Sequence, residues 1–140
     1  MKLEATAEDV EHFAPVTKVL QERWGAMPQE YKEKMQKMKE DADPEAHKVR
    51  VAEFMDNWNG CSQTEGRTGR LNKAEFQQFT KNQLENSEKN LGWAPEYSED
   101  VANQIWDAIH ALNTAEPDVG LVEYTRFGAC MQKMMNENGM

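Results

Sequence analysis

Two segments of this 140-residue chain repeat at an offset of 51 positions without a gap. Phe54 and Met55 fall on Ile105 and Trp106, and Trp58 falls on Ile109. Gly69 falls on Gly120, Leu71 on Val122, Phe76 on Phe127 and Phe79 on Cys130. Apolar positions therefore meet apolar positions on both sides of a glycine-bearing loop. Self-similarity at such a period marks a supersecondary unit that is stabilised by stacking against its neighbour. The chain is expected to pair two helix–loop–helix units, with Leu71 meeting Val122 across the pair.

The stretches around those landmarks read at the helical period. Thr6 caps a first helix carrying Val10, Phe13, Thr17, Leu20 and Trp24, which Pro15 either kinks or starts and Gly25 closes. Pro28 opens a second helix with a narrow Tyr31–Met35–Met38 stripe in a charged run. Asp43-Pro44 opens a third, with Val51, Phe54, Met55 and Trp58 on one face and an end near Asn59-Gly60. Asn72 and Glu75 form a cap for the fourth, which carries Phe76, Phe79 and Leu84. Residues 85–97 are polar and then turn-like, and read as a linker. Ser98 caps a fifth helix with Val101, Ile105, Ile109 and Leu112, and a last one starts near Glu123. Sustained period-two alternation is missing, so the fold class is all-α. Residues 1–42 form an N-terminal helical extension, and residues 43–140 hold the pair, in one domain.

The balance of charge narrows the partners. Sixteen basic against 25 acidic residues give a net charge of −9, which opposes binding to nucleic-acid phosphates. The apolar runs are only a few residues long, so membrane insertion is not expected. The N-terminus is acidic early and lacks the apolar core of a secretory leader. Cys61 and Cys130 have no metal-ligand spacing, and without an export signal they read as two free thiols in the cytoplasm. Cys61 is placed in a loop. His12, His47 and His110 are dispersed, and no phosphate loop or nucleophile elbow occurs, so no enzyme is expected.

The segment "TEGRTGRLNKAEF", residues 64–76, then becomes nameable. A glycine is followed two residues later by Leu71, four after that by Glu75, and then by Phe76. With its repeat partner, residues 46–85 and 97–135 resemble an EF-hand pair of the calmodulin superfamily. In that family glycine at loop position six makes the turn, an apolar position eight pairs with its twin, and glutamate at position twelve holds calcium. The resemblance implies a groove that accepts an amphipathic helix of another protein. It leaves residues 1–42 as a vestigial third hand or a lid over the groove.

The ligand positions depart from the family. In the first loop Thr64, Gly66 and Thr68 stand at positions one, three and five, Arg70 at seven, Asn72 at nine and Glu75 at twelve. One carboxylate beside two arginines is a poor calcium donor set. The entering helix also ends early, leaving the loop about five residues too long for the family's twelve-residue pattern. The gap-free frame puts Arg126 at position twelve of the second loop. Another frame uses Glu123-Tyr124 as positions twelve and thirteen, makes Val119 position eight, and matches Tyr124-x-x-Phe127 to Phe76-x-x-Phe79. Neither frame assembles a calcium site.

The expected role is therefore a calcium-independent, protein-binding adaptor with degenerate loops. Its groove candidates are Phe54, Trp58, Phe76, Phe79, Trp106, Phe127, Met131, Met134 and Met135. Nine methionines suit either an adaptable docking surface or a core. The alternatives are a weak calcium site built from Thr64, Thr68, Arg70, Asn72 and Glu75, or a helical subunit fixed in a larger assembly.

Overall fold

The computed structural model describes residues 4–62 and 69–139. It is all-α apart from one two-strand contact: α1 (Ala7–Gly25), α2 (Gln29–Asp41), α3 (Pro44–Cys61), β1 (Arg70–Leu71), α4 (Lys73–Leu91), α5 (Glu99–His110), β2 (Val119–Gly120) and α6 (Leu121–Glu137). None of the described helices is long and apolar enough to cross a membrane.

The helix starts follow the sequence signals. The Thr6 hydroxyl accepts from Asp9 N, Asp43 from Glu45 N and Ser98 from Val101 N. Asn72 and Glu75 close a reciprocal capping box at α4, at 2.8 and 2.9 Å. α1 runs unbroken through Pro15, whose ring faces solvent while Phe13, Val16 and Leu20 hold the opposite face in the core.

Two boundaries and one face position differ from expectation. α3 continues through Gly60 to Cys61, so Cys61 is a buried helical residue and not a loop thiol. Burial pushes its thiol up, as it does that of Cys130, and the two cysteines are unpaired. α4 continues across the polar run after Leu84 to Leu91, where Gly92 ends it at φ 98°. A side chain at position 92 would also meet the Tyr31 ring at 3.0 Å. The connection is thus residues 92–98, not 85–97. Val51 is 47% exposed and does not join the buried face of α3.

The largest correction concerns register. Leu71 pairs with Val119 and Arg70 with Gly120, antiparallel, whereas Val122 is 75% exposed. An offset of 48 therefore relates the strands and exit helices, and it also matches Trp58 to Trp106 on the entering helices. Glu75 corresponds to Glu123, Phe76 to Tyr124 and Phe79 to Phe127. Arg126 is displaced from any loop position; it lies on α6 and reaches α1.

α1 belongs to the same core as the pair. It packs across α5 and α6, with Phe13 edge-on to Phe127 at 5.5 Å. Arg126 makes a two-pronged hydrogen bond to Asp9, Nε to Oδ2 at 3.0 Å and Nη2 to Oδ1 at 2.6 Å. That hydrogen bond to Arg126 outweighs desolvation and holds the Asp9 carboxyl below its usual range. A depressed native pKa means the pair's stabilisation is complete above the unfolded carboxyl value and vanishes as pH falls through the folded one. Asp9→Asn is expected to cost about 1 kcal/mol at neutral pH, kept small because the Arg126 end is exposed. Urea unfolding of both proteins from pH 7 to 2 should show the difference shrinking with acidification; a constant difference would exclude the ion pair as its source.

Candidate functional site

Two features stand out: a cation bridging the two loops and an apolar cavity between the N-terminal helices and the pair.

The bridge begins with the strand contact. Trp58 Nε1 donates to the Gly69 carbonyl at 3.0 Å and Trp106 Nε1 to the Leu71 carbonyl at 3.1 Å. Ser62 accepts from Gly69 N and Arg70 N at 2.6 and 3.1 Å and donates to the Arg70 carbonyl at 3.0 Å. These bonds fix the Arg70 backbone and send its side chain across to the second loop. There Arg70 Nη2 donates to the Asp118 carbonyl at 2.7 Å. Its guanidinium also lies 3.5 Å from the carboxylates of Asp118 and Glu123. Gly120 makes room for it: a Cβ there would lie 2.5 Å from Arg70 Nη1.

Glu123 is 9% exposed. Burial alone would raise its pKa, but its own backbone N–H, Asn113 and Arg70 together lower it. The Asn113 amide donates to Glu123 Oε1 at 3.3 Å. His110, stacked on Trp106, places Nε2 2.6 Å from the Glu116 carbonyl. In the second loop the Asp118 carbonyl and the carboxylates of Asp118 and Glu123 thus face a guanidinium tethered to the first.

The residues weighed as first-loop calcium ligands are distributed differently. Thr64 and Thr68 lie outside the described residues. The backbone carbonyl of Arg70, the group considered at position seven, accepts from Ser62 Oγ while its side chain reaches the opposite loop, and Asn72 and Glu75 engage one another in the α4 cap. Among the described residues, no group of three or more His, Cys, Asp or Glu side chains is placed to hold a metal.

The second feature is a cavity of about 510 Å³. Of the groove candidates, Phe54, Phe76, Phe79, Phe127 and Met131 line it. Trp58 stacks behind Phe54 and Phe79, 1% exposed, while Trp106 faces the strand contact on the other side. Met134 is buried in the core and Met135 packs against it, so neither lines the cavity. Tyr124 is at the centre of the lining, within 6.2 Å of Phe54, Trp58, Phe76, Phe79 and Phe127, ring centroid to centroid. Its match to Phe76 in the 48-residue frame is the sequence signal for it.

Further walls come from the N-terminal helices, which carry no repeat signal. α1 contributes Leu20 and Trp24, and α2 contributes Met35 and Met38. α2 has no buried residue and reaches the body through its apolar stripe. Trp24 in turn packs edge-on against Trp93 at 5.9 Å, and Arg23 donates to the Glu96 carbonyl. The 92–98 connection is thereby clamped to the end of α1. No known protein family, curated protein or solved structure matches the chain.

Proposed function

We propose that this protein is an EF-hand-like adaptor that binds an amphipathic helix of another protein and does so without calcium. The carrying observation is the Arg70 bridge. In the frame with Val119 at position eight, Asp118 supplies the position-seven carbonyl and Glu123 the position-twelve carboxylate. Calcium would use both groups. Here a guanidinium holds them, with a charge tethered to the partner loop and five fixed donors. It supplies permanently the cross-loop ordering that a sensor gains only with its ion.

The cavity supports the binding half of the reading. Its walls are aromatic and thioether side chains, which adapt to the apolar face of a helix. A docking helix would take the place of α2, whose own Tyr31–Met35–Met38 stripe already approaches the site. The cytosol fits two free, buried thiols, and the charge of −9 opposes nucleic acid as partner.

Calcium titration tests the reading directly. Tryptophan fluorescence and amide chemical shifts should stay unchanged through millimolar calcium. Saturable shifts at Gly120 and Glu123, or at Gly69 and Glu75, would overturn calcium independence and favour a weak site in the corresponding loop.

A further inference from the structure

Among the rings of α3, α4 and α6 that line the cavity, Tyr124 alone carries a hydrogen-bonding group. Its repeat counterpart, Phe76, is a plain ring. Among the described residues nothing donates to or accepts from the Tyr124 hydroxyl, and burial alone pushes the phenol's pKa up. Desolvating a hydroxyl without a partner costs free energy, so buried tyrosines ordinarily find one. Tyr124 is half-buried whereas Phe76, Phe79 and Phe127 beside it are buried, and the space it borders is the cavity. The other hydroxyls of the lining are engaged, Thr80 with the Phe76 carbonyl and Ser87 with the Trp93 carbonyl. An ordered water needs two to four polar partners, so one phenol among hydrocarbon rings holds it poorly.

Shape adds a second constraint. About 510 Å³ falls within the range of roughly 300–1,000 Å³ typical of small-molecule sites. The lining follows α4 from Phe76 to Leu91, a rise of about 22 Å. With α2 seated as a roof, that space fits an extended chain and not a helix of about 10 Å diameter. Beyond the rings the walls turn aliphatic and thioether, with Leu20, Met35, Met38, Leu84 and Leu91. The cations of the lining, Lys39 and Arg50, are exposed to solvent and select no buried charge. An ionised head beside the Tyr124 phenol would be desolvated among rings, which is costly.

We propose that this cavity binds one neutral single-chain lipid, a long hydrocarbon ending in a hydroxyl or carbonyl, whose oxygen accepts from the Tyr124 hydroxyl while its chain runs along α4 toward Leu91. The site goes beyond helix docking, because it uses α2 where it lies, whereas a helix displaces it. Ligand and helix would therefore exclude one another.

Decanol, titrated below its solubility limit into the full chain and followed by tryptophan fluorescence and calorimetry, tests the assignment, with decanoate and 1-decene as chain-matched probes. Decanol should bind saturably at one per chain, and decanoate at neutral pH at least about tenfold more weakly, because its ionised head is desolvated there. Tyr124→Phe removes a hydroxyl that makes no hydrogen bond within the protein, so the unliganded variant should melt no lower than the parent. It should weaken decanol about fivefold, the worth of one ordinary hydrogen bond, and leave 1-decene unchanged. Leu84→Trp, its fold verified by circular dichroism, should fill the cavity and remove binding of every probe. Absence of saturable decanol binding, decanoate as tight as decanol, or equal effects of Tyr124→Phe on decanol and 1-decene would overturn the proposal. So would a lower melt of unliganded Tyr124→Phe, or full binding by folded Leu84→Trp. A leucine-rich amphipathic peptide that binds where decanol does not would overturn it too, while leaving the adaptor reading intact.

Discussion

Arg70→Met should lower the stability of the protein by about 3 kcal/mol at neutral pH, measured by urea unfolding. The guanidinium is hydrogen-bonded to the Asp118 carbonyl and faces two carboxylates whose side chains are 4% and 12% exposed. Removing one partner of a buried ion pair leaves uncompensated charge and costs about 3–5 kcal/mol. The lower end applies because Asn113 and a backbone N–H still hold Glu123. Adding Glu123→Gln to Arg70→Met should restore part of the loss by removing one of the two repelling charges. The adaptor reading adds a second expectation. With the arginine gone, its positive charge no longer opposes a divalent cation beside Asp118 and Glu123, so millimolar calcium should raise the melting temperature of Arg70→Met while leaving the parent unchanged. A loss below about 1 kcal/mol would show that the bridge is a surface ornament of the loops.

That bridge is also where the sequence was least legible. Offsets of 51 and 48 differ by three residues, close to the 3.6 of one helical turn. Sliding α6 by three places keeps apolar residues over apolar residues: Phe76 can face Phe127 or Tyr124, and Leu71 can face Val122 or Val119. Periodicity could not separate the two. What separates them is long-range: two indole donors reading the Gly69 and Leu71 carbonyls, and the reach of Arg70 to Asp118. Neither contact leaves a periodic trace.

Helix existence and caps were readable because they are local. Thr6, Asp43, Asn72 and Ser98 each cap the helix that their neighbours build. The polar end of α4 reads as a linker because polar composition does not separate a solvent-facing helix from a loop. Glu, Lys, Asn and Ser between Leu84 and Leu91 include no glycine or proline, and nothing stops the helix until Gly92. The cavity was half legible. Its walls from the repeat were visible as aromatic positions, whereas Leu20, Trp24, Met35 and Met38 join it through the placement of α1 and α2, which the repeat does not constrain.

Phe79→Ala should be the most damaging single truncation in the ring cluster, at about 4 kcal/mol. Phe79 is 1% exposed, and its ring centroid lies 5.1 to 5.8 Å from those of Trp58, Tyr124, Phe54 and Phe76. Large-to-small changes at such sites cost about 3–5 kcal/mol, more where the surroundings cannot close over the space. Here they cannot, because the lost volume opens into the existing cavity between rigid helices. Phe79→Leu keeps most of the apolar volume and should cost about 1.5 kcal/mol or less. Urea unfolding should show the midpoint shift with an unchanged slope, the sign of lost stability without a change in the surface exposed. A similar cost for both variants would mean that ring geometry matters more than volume. An Ala variant within about 1 kcal/mol of the parent would mean that α3 and α4 are not joined through this ring.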